Sequence, residues 1–386
     1  MLLLFHVLIV FSFLKPAGFD SYGYGTINSI INCSRIIFAV YIFSEYFKLF
    51  YSFSRPIKVV SFFFFLAWVS TIMGDSDVFK FLSFAGSMIA LLMYVELMCV
   101  KNVRLMILSF FVVYTILMFF NYAWMINQGG FIVDAESVRP DLYLERGGAT
   151  VTVLSSVNAV ASYVFPSLIF AVLLMKITTK RNFFSWTLIA ICFFSELFLW
   201  SATSLVGVVL SIVYLFFVYE KNIENYISIK VLLYCIMALS LGITFFHIQY
   251  LFSFVIEDVL HKDLSMTGRL PQWEYVMNSF FYPSPFWGSG WGTRTSDNCF
   301  VQVLCDMGVV GFSYFMFLLK EFFDYVYLNI PSSLGKFVLF IFAVEMLMFS
   351  SESWVHFYGF YVTLALLANA ETIQRNISTN FLEKKL

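Results

Sequence analysis

Charge is what this sequence has least of. Only 12% of its 386 residues are Asp, Glu, Lys or Arg, about half the share in soluble domains, and mean hydropathy is +0.85. That deficit excludes a water-soluble globule. Formal net charge is -1, so the chain has no polyanion-binding signature and a nucleic-acid partner is not expected. The six cysteines, Cys33, Cys99, Cys192, Cys235, Cys299 and Cys305, show no CxxC spacing and lie in or beside apolar segments. They read as small hydrophobes, and neither a disulfide, a metal site nor a cofactor is expected. The opening MLLLFHVLIVFSFLK lacks the basic start and small-residue cleavage site of a signal peptide, so it is expected to stay as a first membrane helix. No internal repeat stands out of the kind that transporter folds carry.

What is present is hydrophobic: 61% of residues, with 50 Phe, 22 Tyr and 8 Trp for lipid-facing bulk and interfacial anchors. Crossing the hydrocarbon core takes about 20 apolar residues. That rule predicts about twelve spans: Leu2–Leu14, Ile27–Tyr46, Val59–Met73, Val78–Cys99, Leu105–Ile126, Val151–Met175, Phe184–Trp200, Ala202–Tyr219, Val231–Leu251, Cys299–Leu319, Phe337–Met348 and Trp354–Ala370. The fold class expected is an all-α polytopic helical bundle forming one membrane domain over residues 1–386. Alternate connections, with the tail, hold fifteen of the 23 Lys and Arg residues, which places both termini in the cytoplasm. Two long connections, 127–150 and 252–298, then fall on the external side. They gather acidic residues and five of the seven external basic ones, so polar chemistry is concentrated outside the membrane. The second is aromatic enough to pack down on the bilayer, with an amphipathic helix expected around Pro271–Phe280.

The densest polar and aromatic stretch runs from Thr267 to Phe312. It holds Arg269, the pair Trp273–Glu274, the turn Gly288–Gly292, Arg294, and Asp297–Asn298 at the mouth of the tenth span. These residue types suit a lipid-linked sugar. Pyrophosphate is held by arginine forks and by backbone N–H groups that Gly-rich turns expose, while sugars stack on aromatic faces and bond to Asp, Asn and Gln.

The order Arg…Trp…Gly-x-Gly…Asp-Asn…Gly-x-x-Gly leading into a span resembles the signature region of the O-antigen ligase and polymerase superfamily. The layout over nearly the whole chain is similar to that of the O-antigen polymerase (Wzy) family. Ligases of this superfamily place a histidine where Asp297 stands, which favours polymerase. The arginine-to-glycine spacing of some polymerase loops is not reproduced from Arg139, Arg146 or Arg269. The resemblance implies a glycosyltransferase of the bacterial inner membrane. It would move a growing glycan from undecaprenyl pyrophosphate onto a new lipid-linked repeat unit, without nucleotide sugar or metal. It also implies a chain-length regulator in the same membrane as partner.

Each residue has a plainer alternative. Arg269 contacts pyrophosphate or sugar, or else lipid headgroups; Arg139 and Arg146 do so too or are arginines of the kind connecting loops often contain, and Arg294 stands close to the glycines as a further substrate contact. Asp297, with Glu274 as second choice, deprotonates the acceptor hydroxyl, or else Ser296, Asp297 or Asn298 caps the tenth span. Trp273 and Asn298 hold sugar, and Gly288 and Gly290 form turns before they form ligand contacts. Inside the membrane Arg35, Glu196, Asp306 and Glu345 are costly unless paired or facing water; Arg35 and Glu196 sit toward the external ends of their spans, where they meet pyrophosphate or form an interhelical ion pair. His247 and His261 read as interfacial. Thr203–Gly207 reads as a helix start with small residues for close packing. A ligase, a flippase and a purely structural subunit remain the rival functions.

Overall fold

The structure, a computed structural model, describes residues 1–16, 25–74, 76–127, 152–154, 160–178, 182–199, 202–219, 229–254, 269–292, 296–329, 333–350 and 352–382. All regular elements among them are helical. In chain order these are α1 (Leu2–Phe13), α2 (Gly25–Leu49), α3 (Arg55–Met73), α4 (Val78–Lys101), α5 (Val103–Asn127), α6 (Ala161–Thr178), α7 (Phe183–Leu199), α8 (Ala202–Val213), α9 (Ile229–Phe246), α10 (Arg269–Val276), α11 (Cys299–Asn329), α12 (Ser333–Leu347) and α13 (Tyr358–Leu382). A π-helical turn continues α8 over Tyr214–Tyr219 and another continues α10 over Met277–Phe281.

Among the described residues seven helices are long and apolar enough to cross a membrane: α2 to α6, α11, and α12 with the turn after it. Shorter apolar helices occupy α1, α7, α8 and α9. The chain is therefore an all-α membrane bundle in which each expected apolar stretch contains a helix, while length and composition mark seven spans among the described residues where the sequence predicts twelve. Four boundaries differ from expectation for identifiable reasons. The sixth helix begins at Ala161 and not at Val151, since the N–H groups of Val153 and Leu154 donate to Asn121 Oδ1 on α5. The twelfth stretch does not start as a helix at Trp354: Trp354–His356 forms a 3₁₀ turn, and α13 begins at Tyr358 and continues past Ala370 to Leu382 on a polar surface that favours water. The ninth ends at Phe246, because His247 adopts a left-handed conformation (φ 49°) before a 3₁₀ turn. The tenth is broken at Gly308, whose φ of 63° and ψ of -167° no helix contains. The expected loop helix is present as α10 and its π turn.

The core forms where helices lose all contact with lipid. From Ala161 to Leu174 every residue of α6 is buried, so its apolar residues need no preferred face. Around it lie α5, α7 and α13, and α13 in turn packs on α4, α11 and α12. By contrast α2 leaves Ile27, Ile30, Ile36, Ile37 and Val40 exposed, a surface that water would not tolerate and acyl chains would. Small residues allow close approach as the sequence predicts for α8: a Cβ on Gly207 would come within 2.8 Å of the side chains of Phe165 and Val344.

Charged pairs gather at one end of the bundle. Glu45 accepts from both Lys48 and Lys101 at 2.6 Å, Arg55 pairs with Glu321, and Asn376 donates to the Cys99 carbonyl. The opposite end, where α3 finishes and α11 and α13 begin, is built around different chemistry.

Candidate functional site

That opposite end is organised by the break in α11. In an unbroken helix the carbonyls of Cys305 and Asp306 would accept from the N–H groups of Val309 and Val310. Gly308 turns the chain out of that register. The segment 285–290 supplies the missing partners: Ser289 N–H donates to Cys305 O at 2.8 Å and Gly290 N–H to Asp306 O at 3.0 Å, while Val309 and Val310 donate to the carbonyls of Pro285 and Phe286. Glycine is required on both sides. A Cβ on Gly308 would overlap the Phe286 carbonyl, and one on Gly288 (φ 75°) would overlap that of Asp306. From α3, the Ser70 hydroxyl bonds to the carbonyls of Trp287 and Asp306, and Thr71 Oγ1 accepts from Trp291 N–H.

This docking changes how the glycine turn reads. The amides of Gly288, Ser289, Gly290 and Trp291 are all engaged within the protein, so the turn is a joint and not an open phosphate cradle. Trp273 is likewise turned inward: it is 3% exposed and packs with Val276, Val301 and Cys305, which leaves no face for a sugar. Asn298, fully buried, caps α11. Its Oδ1 accepts from the N–H groups of Phe300 and Val301, and its Nδ2 donates to Thr244 Oγ1 and the Ser350 carbonyl. Of the two roles the sequence leaves open for Asp297 and Asn298, capping therefore falls to Asn298.

Asp297 is thereby left for other work. Its carboxylate, about half exposed, stands 3.8 Å from Arg269 Nε at the mouth of α11. Glu274, one turn along α10, is exposed. Arg139, Arg146, Arg294 and His261 lie outside the described residues.

Below Asp297 a chain of hydrogen bonds enters the bundle. Ser296 N–H donates to Gln302 Oε1, Gln302 Nε2 donates to Asp306 Oδ1 at 2.7 Å, and His356 Nε2 donates to Asp306 Oδ2 at 3.0 Å. Gln302 and Asp306 share one face of α11 because they are four residues apart. Asp306 has no exposed surface, and a carboxylate so placed is tolerated only with such partners. The His356 side chain, 17% exposed, stacks on Trp291 with ring centroids 4.5 Å and planes 26° apart, and Trp291 is wedged among Phe63, Phe64, Phe81 and Phe84. His356 is absent from the sequence-based candidates because hydropathy assigns it to a span. The signal available was the polar run Ser350–Ser353 just before it, which marks a break in helix.

Two residues from that turn, Tyr358 reaches Arg35. Arg35 Nε donates to the Ser12 carbonyl and Nη1 to Tyr358 OH at 2.9 Å, with the guanidinium 5.1 Å from the Tyr358 ring centroid. Its Nη2 is buried with no partner among the described residues. Arg35 and Glu196 do not form the interhelical ion pair that was one expectation: Glu196 is fully buried and both its carboxylate oxygens lack a hydrogen-bond partner among the described residues. Glu345 accepts from Thr363 at 2.7 Å. Among the described residues no group of three or more His, Cys, Asp or Glu side chains is arranged to hold a metal ion.

The end of the bundle thus combines two arginines with donors to spare, an exposed carboxylate, and a buried carboxylate carrying a histidine. Such a set can neutralise an anion and accept or donate a proton. No family model matches the sequence, and neither a curated protein nor a solved structure gives a significant match.

Proposed function

We propose that the chain is a polymerase of lipid-linked oligosaccharide repeat units, of the O-antigen polymerase kind, working at the periplasmic face of the bacterial inner membrane. In this reading about twelve segments cross the bilayer, with short apolar helices completing the count, and both termini lie in the cytoplasm beside the basic end. The observation that carries the reading is the Arg269–Asp297 pair set over the buried polar chain to His356, at the end of the bundle away from the clustered lysines. Arg269, with its Nη groups unengaged among the described residues, holds the pyrophosphate of an undecaprenyl-linked donor. Arg35, on the lipid-facing α2, has a buried Nη2 with no partner among the described residues and takes a second pyrophosphate, that of the acceptor. A chain-length regulator in the same membrane is the expected protein partner.

A strain lacking the gene separates this reading from its rivals. It should carry surface lipopolysaccharide capped with one repeat unit, whereas loss of a ligase leaves none. A ladder of normal length in that strain would exclude the polymerase.

A further inference from the structure

We infer that His356 is the catalytic base of the proposed polymerisation and Asp306 its positioning residue. The inference rests on the proposed reading of the protein and names the residue that takes the acceptor's proton.

The geometry restricts what His356 can do. A carboxylate oxygen 3.0 Å from Nε2 favours the neutral tautomer with its hydrogen on Nε2, which leaves the free lone pair on Nδ1. Nδ1 has no hydrogen-bond partner among the described residues, and it is not among the polar atoms sealed from solvent. The ring and its backbone are held by further contacts. Trp291 covers one face. The backbone of the Trp354–His356 turn is anchored by Tyr361 OH on the Val355 carbonyl at 2.9 Å and by the burial of Trp354. Asp306 is fixed in turn by Gln302, whose amide orientation is set by Ser296 N–H. Three consecutive bonds that orient one nitrogen at a partly open surface are more than packing requires. They are what a base needs if its tautomer is to be held through a reaction.

The acceptor hydroxyl loses its proton to His356 Nδ1 while its oxygen bonds to the anomeric carbon of the donor sugar. The bond from that carbon to the pyrophosphate oxygen breaks, and its electron pair leaves with undecaprenyl pyrophosphate, whose charge Arg269 offsets. The imidazolium is stabilised by the Asp306 carboxylate and returns its proton to the departing pyrophosphate or to water. Asp297, the base expected from sequence, is paired with Arg269 and instead orients the arginine or the acceptor.

The test uses full-length protein in proteoliposomes, supplied with lipid-linked repeat units extracted from a strain lacking the gene. Positioned bases contribute roughly 10²- to 10⁴-fold. His356→Gln and His356→Ala should lose polymer formation by at least about 10²-fold at unchanged retention of the lipid-linked donor, and imidazole added to His356→Ala should restore part of it. Asp306→Asn should fall between these variants and wild type. Growth by His356→Gln within twofold of wild type overturns the inference, as does an inactive His356→Ala that imidazole leaves inactive while His356→Gln works. If His356→Ala cannot be obtained as monodisperse protein, His356→Gln, which still donates to Asp306, decides alone. Wild-type protein that makes no polymer would sink the polymerase reading itself, whereas wild-type polymer with an unaffected His356→Gln sinks only the base.

Discussion

At the scale of single residues, the candidate site is a division of labour between neighbours with similar chemistry. Asp297 and Asn298 are adjacent and both can cap a helix, yet only Asn298 can donate as well as accept. It is therefore the one buried where Thr244 and the Ser350 carbonyl need a donor. Asp297 is released to Arg269. If Arg269 holds developing negative charge, Arg269→Ala should reduce chain growth by roughly 10²-fold or more, the usual cost of one such donor, with no loss of inserted protein. Quantifying surface polymer at matched membrane levels checks this, and unaltered polymer would remove Arg269 from the site.

At the scale of elements, the decisive object is the joint between α11 and the segment 285–290. Gly308 occupies a backbone region that costs other residues about 1–3 kcal/mol, and a Cβ there would also overlap the Phe286 carbonyl. Gly308→Ala should therefore lower the melting temperature in detergent. Gly86→Ala, in α4 where nothing stands within 4 Å, should leave it unchanged or raise it. Equal effects of the two substitutions would mean that the break is not held by glycine. This joint also explains what could be read from sequence and what could not. Apolar stretches are local, so each one contains a helix even where its bounds differ, and α10 was legible from its amphipathic residues. Gly288 and Gly290 were legible as turn formers. Their amides could not be assigned, because the acceptors, Cys305 and Asp306, become available only once Gly308 breaks a helix that hydropathy draws as continuous. Trp273 misled for a related reason: a tryptophan in a polar loop looks available to sugar until Val301 and Cys305 pack against it. His356 was hidden in an averaging window, and its meaning depends on Asp306, 50 residues away in the chain.

For the whole molecule, the polymerase reading requires that the two ends of the bundle face different compartments. Tyr282, exposed in the loop before α11, and Lys101, in the paired basic cluster, report on those ends. With the exposed Cys33 and Cys235 replaced, a membrane-impermeant maleimide applied to intact cells should label Tyr282→Cys and spare Lys101→Cys. The reverse pattern would put the Arg269 end in the cytosol and end the proposal.

The exchange of backbone bonds at Gly308 has a mechanical consequence. Pulling the 285–290 segment away would break four backbone bonds at once, and each amide or carbonyl left buried without a partner costs about 1–3 kcal/mol. In the polymerase reading, entry and release of long-chain lipids would be accommodated by other parts of the bundle, and this corner acts as the stationary anvil against which they move.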